Sequence, residues 1–382
     1  MSVSEIIERP LKSEARGGGD EAPVTEPQPL APARIPWREV RKVLVVRLRS
    51  IGDTVLATPA LHALRRFLPE AEIDILLEDW VAPILEGFTE VSRVITVERG
   101  SIAARARVAK ELRGARYDVA FNLHGGTTST LLMRASGARH RVGYDSYRYS
   151  RLYNHAAPPA NKLWGKAATH SVEQQLALPG WTGVPVSDRP QTRLAVTTVA
   201  AGSIAERLRA EGIDENERVA LFHPAAAFET KRWATENFAR VAEALAARKV
   251  SVVAVAAPGE ASTINALTKT SAARIVSFTD LKLPEVTALA ARSALFVGND
   301  SGIAHIASAV RTPSVVIFGS SNIEHWRPWA NPLSEAVREE LPCQPCPGYG
   351  CAEFRQPECI RRVTVETVLQ SIERVTGKSF QF

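Results

Sequence analysis

The feature that most constrains the fold of this chain is the alternation of short β-branched strands with amphipathic helical stretches, in two successive series. The first series of predicted strands lies at residues 42–48, 73–77, 94–97 and 119–122. The second lies at residues 219–222, 250–256, 275–277, 295–297 and 314–318. Because helices separate successive strands, each series favours a parallel sheet with helices on both faces. The sequence therefore predicts an α/β protein of two doubly wound, Rossmann-like domains that face each other across a cleft.

The extent of the two series sets the predicted domain boundaries. Residues 1–36 hold three consecutive glycines and six prolines with little apolar periodicity, so we predict a disordered tail and order beginning near Trp37. A stretch rich in turn formers, residues 178–195, predicts the connection between the domains. The predicted units are a tail at 1–36, an N-terminal domain at 37–185, a C-terminal domain at 186–362 and a final helix at 363–382.

Positive charge is concentrated in one part of the chain. The net charge of the 382 residues is +6, whereas residues 99–166 alone hold thirteen Lys and Arg against three acidic residues, a local net of +10. Such a surface attracts nucleic acid, an anionic membrane or a polyanionic substrate, and the alternative is a solvated basic face without a partner. No apolar stretch reaches the roughly 18 residues of a membrane helix, and the N-terminus lacks a signal-peptide pattern, so we expect a cytoplasmic protein.

The loop after the first predicted strand is a candidate ligand site. It reads Ser50-Ile51-Gly52-Asp53 and lies at the carboxyl edge of the sheet, where doubly wound proteins bind ligands. The chain has neither the G-x-G-x-x-G fingerprint of an NAD enzyme nor a phosphate-binding P-loop, and this argues against both classes. Asp53 is therefore interpreted either as a helix cap or as a catalytic carboxylate.

Two loops of the second series carry complementary groups. In residues 297–305 a strand leads through a polar turn into a helix, whose free amides at Ser301 and Gly302 suit a diphosphate, and His305 is predicted to project toward the same end. The alternative is that Asp300 or Ser301 only caps the helix and that His305 lies on the surface. In residues 223–233, small residues permit close approach and Lys231-Arg232 offers cations for phosphate, the alternative being an exposed basic pair. Together the three loops suit one sugar–diphosphate ligand.

In their order along the chain, these motifs resemble the heptosyltransferase family, glycosyltransferase family 9. The matching segments are Arg47-x-x-Ser50-Ile51-Gly52-Asp53, Pro224 to Lys231-Arg232-Trp233, and Gly298-Asn299-Asp300-Ser301-Gly302-x-x-His305. The resemblance covers residues 42–373 and implies a GT-B fold, with inverting transfer of heptose from ADP-heptose to a lipopolysaccharide core acceptor. It implies neither a metal nor a cofactor. The chain departs from the family pattern at residues 225–227, where three alanines stand in place of Gly, Ser or Thr.

The resemblance also implies roles for individual residues. Asp53 would be the general base for the acceptor hydroxyl, Lys231 would offset charge on the departing ADP, and the amides of Ser301 and Gly302 would bind its diphosphate. Glu260 would lie near the adenosine. The other residues predicted to bind substrate are Ser50, Gly52, Ala226, Ala227, Arg232, Asp300 and His305.

The basic stretch and the cysteines are interpreted in the same way. The N-terminal domain would bind the anionic acceptor, with Arg105, Arg107, Lys110 and Arg113 close to the inner membrane surface, and nucleic acid is ranked lower because no nucleic-acid motif is present. The clustered Cys343, Cys346, Cys351 and Cys359 resemble the family's tail and are interpreted as structural thiols, with a zinc site as the alternative. Three other functions stay open: transfer from another nucleotide sugar, a sugar-nucleotide epimerase, and a non-catalytic binding protein.

Overall fold

Each half of the chain forms one six-stranded parallel sheet in the computed structural model, which describes residues 26–346 and 349–377. The strands of the first sheet are β1 (Lys42–Val46), β2 (Glu72–Glu78), β3 (Arg93–Val97), β4 (Val119–Asn122), β5 (His140–Tyr144) and β6 (His155–Ala157). Those of the second are β7 (Arg218–His223), β8 (Val250–Val255), β9 (Ile275–Phe278), β10 (Leu295–Asn299), β11 (Ser314–Ile317) and β12 (Ser334–Val337).

The two sheets have the same topology. Their orders are β3-β2-β1-β4-β5-β6 and β12-β11-β10-β7-β8-β9, and every pairing is parallel. Both are the strand order 3-2-1-4-5-6 of doubly wound sheets, in which the order reverses between the first and fourth strands. A crevice opens at that reversal, outside the carboxyl ends of the strands, so the loops after β1, β7 and β10 border the natural ligand sites. The predicted fold class is confirmed.

Helices cover both faces of each sheet. In the N-terminal half they are α1 (Ile51–Val55), α2 (Thr58–Phe67), α3 (Ile102–Ala115), α4 (Thr127–Ser136), α5 (Ala160–Trp164) and α6 (Ser171–Trp181). In the C-terminal half they are α7 (Thr198–Ala210), α8 (Thr235–Ala246), α9 (Ala261–Thr270), α10 (Leu283–Arg292), α11 (Gly302–Ala309), α12 (Ile323–Trp326), α13 (Glu358–Arg361) and α14 (Val365–Thr376). The central strands β1 and β7 are almost wholly buried, which explains their continuous apolar runs. In the described part of the chain, no helix combines the length and apolarity needed to cross a membrane.

All nine predicted strands are present, with ends that differ by two residues at most, but three strands were not predicted. These are β5, β6 and β12, whose sequences are HRVGY, HAA and SEAV. Each contains polar side chains or is very short, so none shows the apolar run that marks a buried parallel strand. Two of the three lie at sheet edges, where one side of the strand has no neighbour.

The predicted boundaries need three corrections. Residues 26–36 are not a free tail, because the amides of Leu30 and Arg34 donate to the carbonyls of Gly180 and Thr182 and Ile35 is buried. The remaining residues of the predicted tail, 1–25, lie outside the described residues. The predicted connection at 178–195 begins too early, because residues 178–181 complete the buried helix α6. The final helix is not a separate unit, since α14 packs on α8, β11 and β12 of the second sheet.

Candidate active site

Two helix N-termini meet where the domains face each other. Helix α1 follows β1 of the first sheet, helix α11 follows β10 of the second, and the two pack directly together. Glycines allow this approach. A Cβ atom placed on Gly52 would lie 2.8 Å from Cδ2 of His305, and one on Gly302 would lie 3.1 Å from Cβ of Ile51. The loop of the N-terminal domain that carries Asp53 is thereby held against the loop of the C-terminal domain that carries Ser301.

A cavity of about 530 Å³ opens beside this contact and collects most of the predicted site residues. Both domains contribute to its walls, as expected for a crevice at the switch points of two facing sheets. The predicted residues that line it are Ser50, Gly52, Asp53, Ala226, Ala227, Lys231, Glu260, Asp300, Ser301, Gly302 and His305.

Arg232 is the predicted substrate-binding residue that the structure does not bring into the cavity. Its side chain is exposed and its Nε donates to the carbonyl of Ala226 at 2.8 Å. The adjacent Lys231 does face the cavity, because the short 3-10 helix Glu229–Lys231 turns the two side chains in different directions. Arg232 therefore braces the loop at Ala226 and does not line the ligand space.

Asp53 forms a capping box with Ser50 at the start of α1 and also faces the cavity. The interpretations of Asp53 as a helix cap and as a catalytic carboxylate are therefore compatible. The amide and hydroxyl of Ser50 donate to its Oδ2 at 3.2 and 2.9 Å, and Arg47 forms an ion pair with its Oδ1. About 20% of the side chain is exposed, on the cavity side. The carboxylate is thus fixed in direction while part of its surface is open to a ligand.

The ion pair with Arg47 orients the carboxylate of Asp53. Its Nη1 donates to the carbonyl of Leu123 at 3.0 Å and lies 3.4 Å from Nδ1 of His124, so the guanidinium is anchored to the end of β4. Burial, and then the charges of Arg47 and Arg49, lower the pKa of His124 to about 4. The imidazole is therefore neutral at physiological pH and can accept from Arg47.

On the opposite wall, Lys231 and Asp300 form an ion pair. Nζ of Lys231 lies 2.7 Å from Oδ2 of Asp300, and the hydroxyl of Ser321 donates to the same oxygen at 2.5 Å. Asp300 thus holds the ammonium in place and makes no helix cap. Ser301 also makes no side-chain cap bond, and its hydroxyl instead lies 3.1 Å from Nδ1 of His223. Ser301 therefore occupies the N-cap position of α11 without a capping side-chain bond, and the interpretation of these two residues as side-chain caps is wrong.

His305 is buried at the contact between the two loops. Burial lowers its pKa, and within the described residues its Nδ1 has no hydrogen-bond partner. The interpretation of His305 as a surface residue is therefore wrong. The ring borders the cavity, but its unsatisfied Nδ1 is enclosed by protein and does not face the ligand space.

One end of the cavity is apolar and was not predicted. Its walls are Val255, Ala256, Leu281, Leu283, Val286 and Trp80. The indole of Trp80, 42% exposed, is pinned by a hydrogen bond from its Nε1 to Oε2 of Glu78 at 2.8 Å. Glu260 borders this end and accepts the amide of Ala257 at 3.2 Å. An apolar slot next to a cation and helix amides suits a nucleotide, with the base in the slot and the phosphates at the amides.

A second cavity, of about 350 Å³, lies at the same edge of the first sheet. Its walls include Arg49, Glu78, Arg99, Arg105 and His124. The two cavities adjoin, because Arg49 precedes Ser50 in the chain and Glu78 holds Trp80, while Nη1 of Arg49 lies 3.6 Å from Oε1 of Glu78. Three arginines against two glutamates, Glu78 and Glu98, leave this cavity beside Asp53 with an excess of positive charge, which favours an anionic group on the ligand.

The four cysteines lie near the C-terminal sheet as free thiols, and burial raises the pKa of Cys359. Within residues 26–346 and 349–377, no three His, Cys, Asp or Glu side chains are grouped in a way that could hold a metal ion. The interpretation of the four cysteines as structural thiols, with a zinc site as the alternative, stays a prediction.

Comparison with known proteins identifies the family. Residues 105–355 match glycosyltransferase family 9 (heptosyltransferase). The chain is 29% identical over 307 residues to lipopolysaccharide heptosyltransferase 3 of Escherichia coli, which covers 74% of this chain and 85% of that one. It is 26% identical over 310 residues to lipopolysaccharide heptosyltransferase 2 of Escherichia coli K12, with 78% and 87% covered.

Solved structures agree on the fold. The structure of Escherichia coli ADP-heptose lipopolysaccharide heptosyltransferase II superposes with a TM-score of 0.73 at 23% identity, covering 88% of this chain and 98% of that one. Escherichia coli heptosyltransferase WaaC with ADP superposes with a TM-score of 0.67 at 20% identity, covering 87% and 99%. The two-domain GT-B architecture is therefore shared, and the chain belongs to glycosyltransferase family 9, the heptosyltransferases, and is a glycosyltransferase.

Proposed function

We propose that this enzyme transfers heptose from ADP-heptose to an anionic lipopolysaccharide-core acceptor, with inversion at the anomeric carbon and without a metal. The observation that carries the proposal is the placement of Asp53 and the Lys231–Ser301–Gly302 group on facing walls of one cavity. A base on one wall and an anion site on the other are what a direct displacement between acceptor and donor requires.

The proposed donor position follows from the polarity of the cavity. The adenine occupies the apolar slot near Trp80 and Leu283, and the diphosphate lies against the first-turn amides of α11. Lys231, held by Asp300, supplies the positive charge that offsets the negative charge gathering on ADP as it leaves. This residue performs the electrostatic task that a divalent cation performs in other sugar-nucleotide enzymes.

The proposed chemistry is one displacement. Asp53 takes the proton of the acceptor hydroxyl as the oxygen forms its bond to the anomeric carbon, and the bond from that carbon to the diphosphate oxygen breaks with its electron pair leaving on ADP. Attack from the wall opposite the leaving group inverts the anomeric centre. Ser50 and Arg47 fix the direction of the carboxylate, which matters because a base must lie within hydrogen-bond reach of its proton.

The acceptor is proposed to be anionic because the cavity next to Asp53 is basic. Arg49, Arg99 and Arg105 line that second cavity, and guanidinium groups bind carboxylates and phosphates in a bidentate manner. The named relatives act in lipopolysaccharide synthesis, and a lipid-anchored acceptor would place the reaction at the cytoplasmic face of the inner membrane.

Two measurements on the purified chain test the proposal. In a thermal-shift panel of ADP, UDP, GDP and NAD, we expect ADP to raise the melting temperature most, because a ligand that binds only the folded state stabilises it by mass action. With ADP-heptose and a heptose-deficient core acceptor, mass spectrometry should then show the acceptor gaining one heptose. A preference for UDP or GDP would overturn the donor assignment, and conversion of the sugar nucleotide without an acceptor would favour an epimerase.

A further inference from the structure

The outer face of α3 and α4 combines unpaired positive charge with exposed aliphatic side chains. We define this outer helical face by Ile102, Arg107, Lys110, Arg113, Leu131 and Arg134. All six side chains are exposed, and among the described residues none of the four cations has a carboxylate within 4 Å. Glu111 is the exposed acidic residue of the two helices, so the face keeps an excess of positive charge.

The topology places the two aliphatic side chains on one rim. Helix α3 follows β3 and helix α4 follows β4, so both begin at the carboxyl edge of the first sheet, and the two helices pack side by side. Ile102 is the first residue of α3, whose start is fixed by the bond from the amide of Ala104 to Oγ of Ser101 at 3.1 Å. Leu131 lies just over one turn into α4. Ile102 is 80% exposed and Leu131 is 54% exposed.

The same rim borders the second cavity, which carries Arg49, Arg99 and Arg105 and is called the basic cavity below. Gly100 and Arg105, on either side of Ile102 in the chain, line that cavity, and so do Thr127 and Thr128 at the start of α4. Ile102 and Leu131 therefore lie within one turn or so of residues that line this cavity, while Arg107, Lys110 and Arg134 lie farther along the two helices. This arrangement matches the two layers of a bilayer surface. The aliphatic side chains could reach the acyl chains, and the cations could pair with the anionic headgroups.

We infer that the outer helical face docks on an anionic phospholipid bilayer, with Ile102 and Leu131 inserted between the headgroups and the cations paired with phosphates. Charge alone would also attract nucleic acid, but phosphates in water give no reason for large aliphatic side chains at the rim. Docking in this orientation turns the mouth of the basic cavity toward the membrane. That consequence rests on the proposed function, because it delivers a lipid-anchored acceptor to Asp53, whereas lipid binding itself does not depend on it.

Flotation with phospholipid vesicles tests the inference, and helix α7 of the other domain offers matched controls. Val199 is 79% exposed and Arg209 is exposed on the same helix. The chain should bind vesicles that contain phosphatidylglycerol more tightly than vesicles of phosphatidylcholine alone. Arg107→Glu changes the charge by two and should weaken binding about 30-fold, whereas Arg209→Glu should leave it near the parent value. Ile102→Ser should weaken binding on the order of tenfold, and Val199→Ser should not.

Three results would overturn the inference: a parent chain that does not float, equal binding to the two vesicle types, or variants of the outer helical face that bind no worse than their α7 controls. Transfer to a deacylated, soluble core acceptor separates this inference from the proposed function. Ile102→Ser and Arg107→Glu should keep the parent rate there, because neither residue lines either cavity. If the parent chain binds vesicles but transfers no heptose, the proposed function fails while the docking surface stands.

Discussion

Replacing Lys231 with alanine should damage folding and transfer through two separable effects. The variant removes the cation that lies 2.7 Å from Oδ2 of Asp300, whose side chain is only 6% exposed, and leaves that carboxylate with the hydroxyl of Ser321. Breaking a fully buried pair costs about 3–5 kcal/mol, while an exposed pair is worth less than about 1 kcal/mol. Because Lys231 is 22% exposed, we expect a loss of roughly 2 kcal/mol in the free energy of unfolding.

The loss in transfer has a different origin and a different remedy. A preorganised group that stabilises charge in the transition state is worth about 10²–10³ in kcat, and Lys231→Ala should lose that amount. Adding Asp300→Asn removes the uncompensated charge. It should recover about half of the lost stability without recovering transfer, because the cation that offsets charge on ADP is still missing.

The measurements are urea denaturation of the parent, the two single variants and the double variant, and initial rates of heptose transfer for the same four proteins. Together the four stabilities form a double-mutant cycle that isolates the coupling of Lys231 to Asp300. The reasoning is refuted if the double variant is no more stable than Lys231→Ala. It is also refuted if Lys231→Ala transfers heptose within tenfold of the parent rate.

Two further changes test the account. The first concerns packing at the site, and the second concerns the pH dependence of stability. Gly52→Ala should force the loops apart, because the new Cβ would lie 2.8 Å from Cδ2 of His305. This overpacking should lower the free energy of unfolding by about 1–3 kcal/mol, whereas Gly202→Ala, with no atom within 4 Å, should not lower it. Burial lowers the pKa of His170 to about 3, with its Nε2 bonded to the carbonyl of Arg327 at 2.7 Å, so the unfolded chain binds the proton first. Stability should therefore fall as the pH drops below about 6.5, and His170→Asn should flatten the slope of unfolding free energy between pH 6 and 4 by up to about 1.4 kcal/mol per pH unit. An unchanged slope in that variant, or equal free energies of unfolding for the two glycine variants, would contradict these expectations.

The fold could be predicted because parallel strands buried on both faces carry continuous apolar sequences. Strands β1 and β7 are examples, and their neighbours follow at regular intervals. The apolar pattern does not predict the short strands β6 and β12, because an edge strand needs no continuous apolar run. The proline-rich sequence of residues 26–36 is typical of a disordered tail. Buried Ile35 and the backbone hydrogen bonds to residues 180 and 182 nevertheless hold this segment on the domain.

The site could be predicted as three loops but not as a set of contacts. The residue types after β1, β7 and β10 indicated an anion site and a carboxylate, because the carboxyl ends of parallel strands meet at one edge. The sequence could not show that Ser321 shares the carboxylate of Asp300 or that Trp80 closes the apolar end. Arg232 shows the limit of such reasoning, because one turn of 3-10 helix decides whether a basic residue faces the ligand space.

The measurement that tests the central claim most directly is the single-turnover rate of heptose transfer by Asp53→Asn, with ADP affinity determined on the same protein. Asparagine keeps the size of the side chain and an oxygen that can accept from Ser50, but it cannot take the acceptor proton. General-base catalysis is typically worth about 10²–10⁴ in rate, so transfer should fall by that factor while ADP affinity stays within about twofold of the parent. Transfer at the parent rate would contradict the assignment of Asp53 as the base, and a parallel loss of ADP affinity would show that the residue acts in donor binding instead.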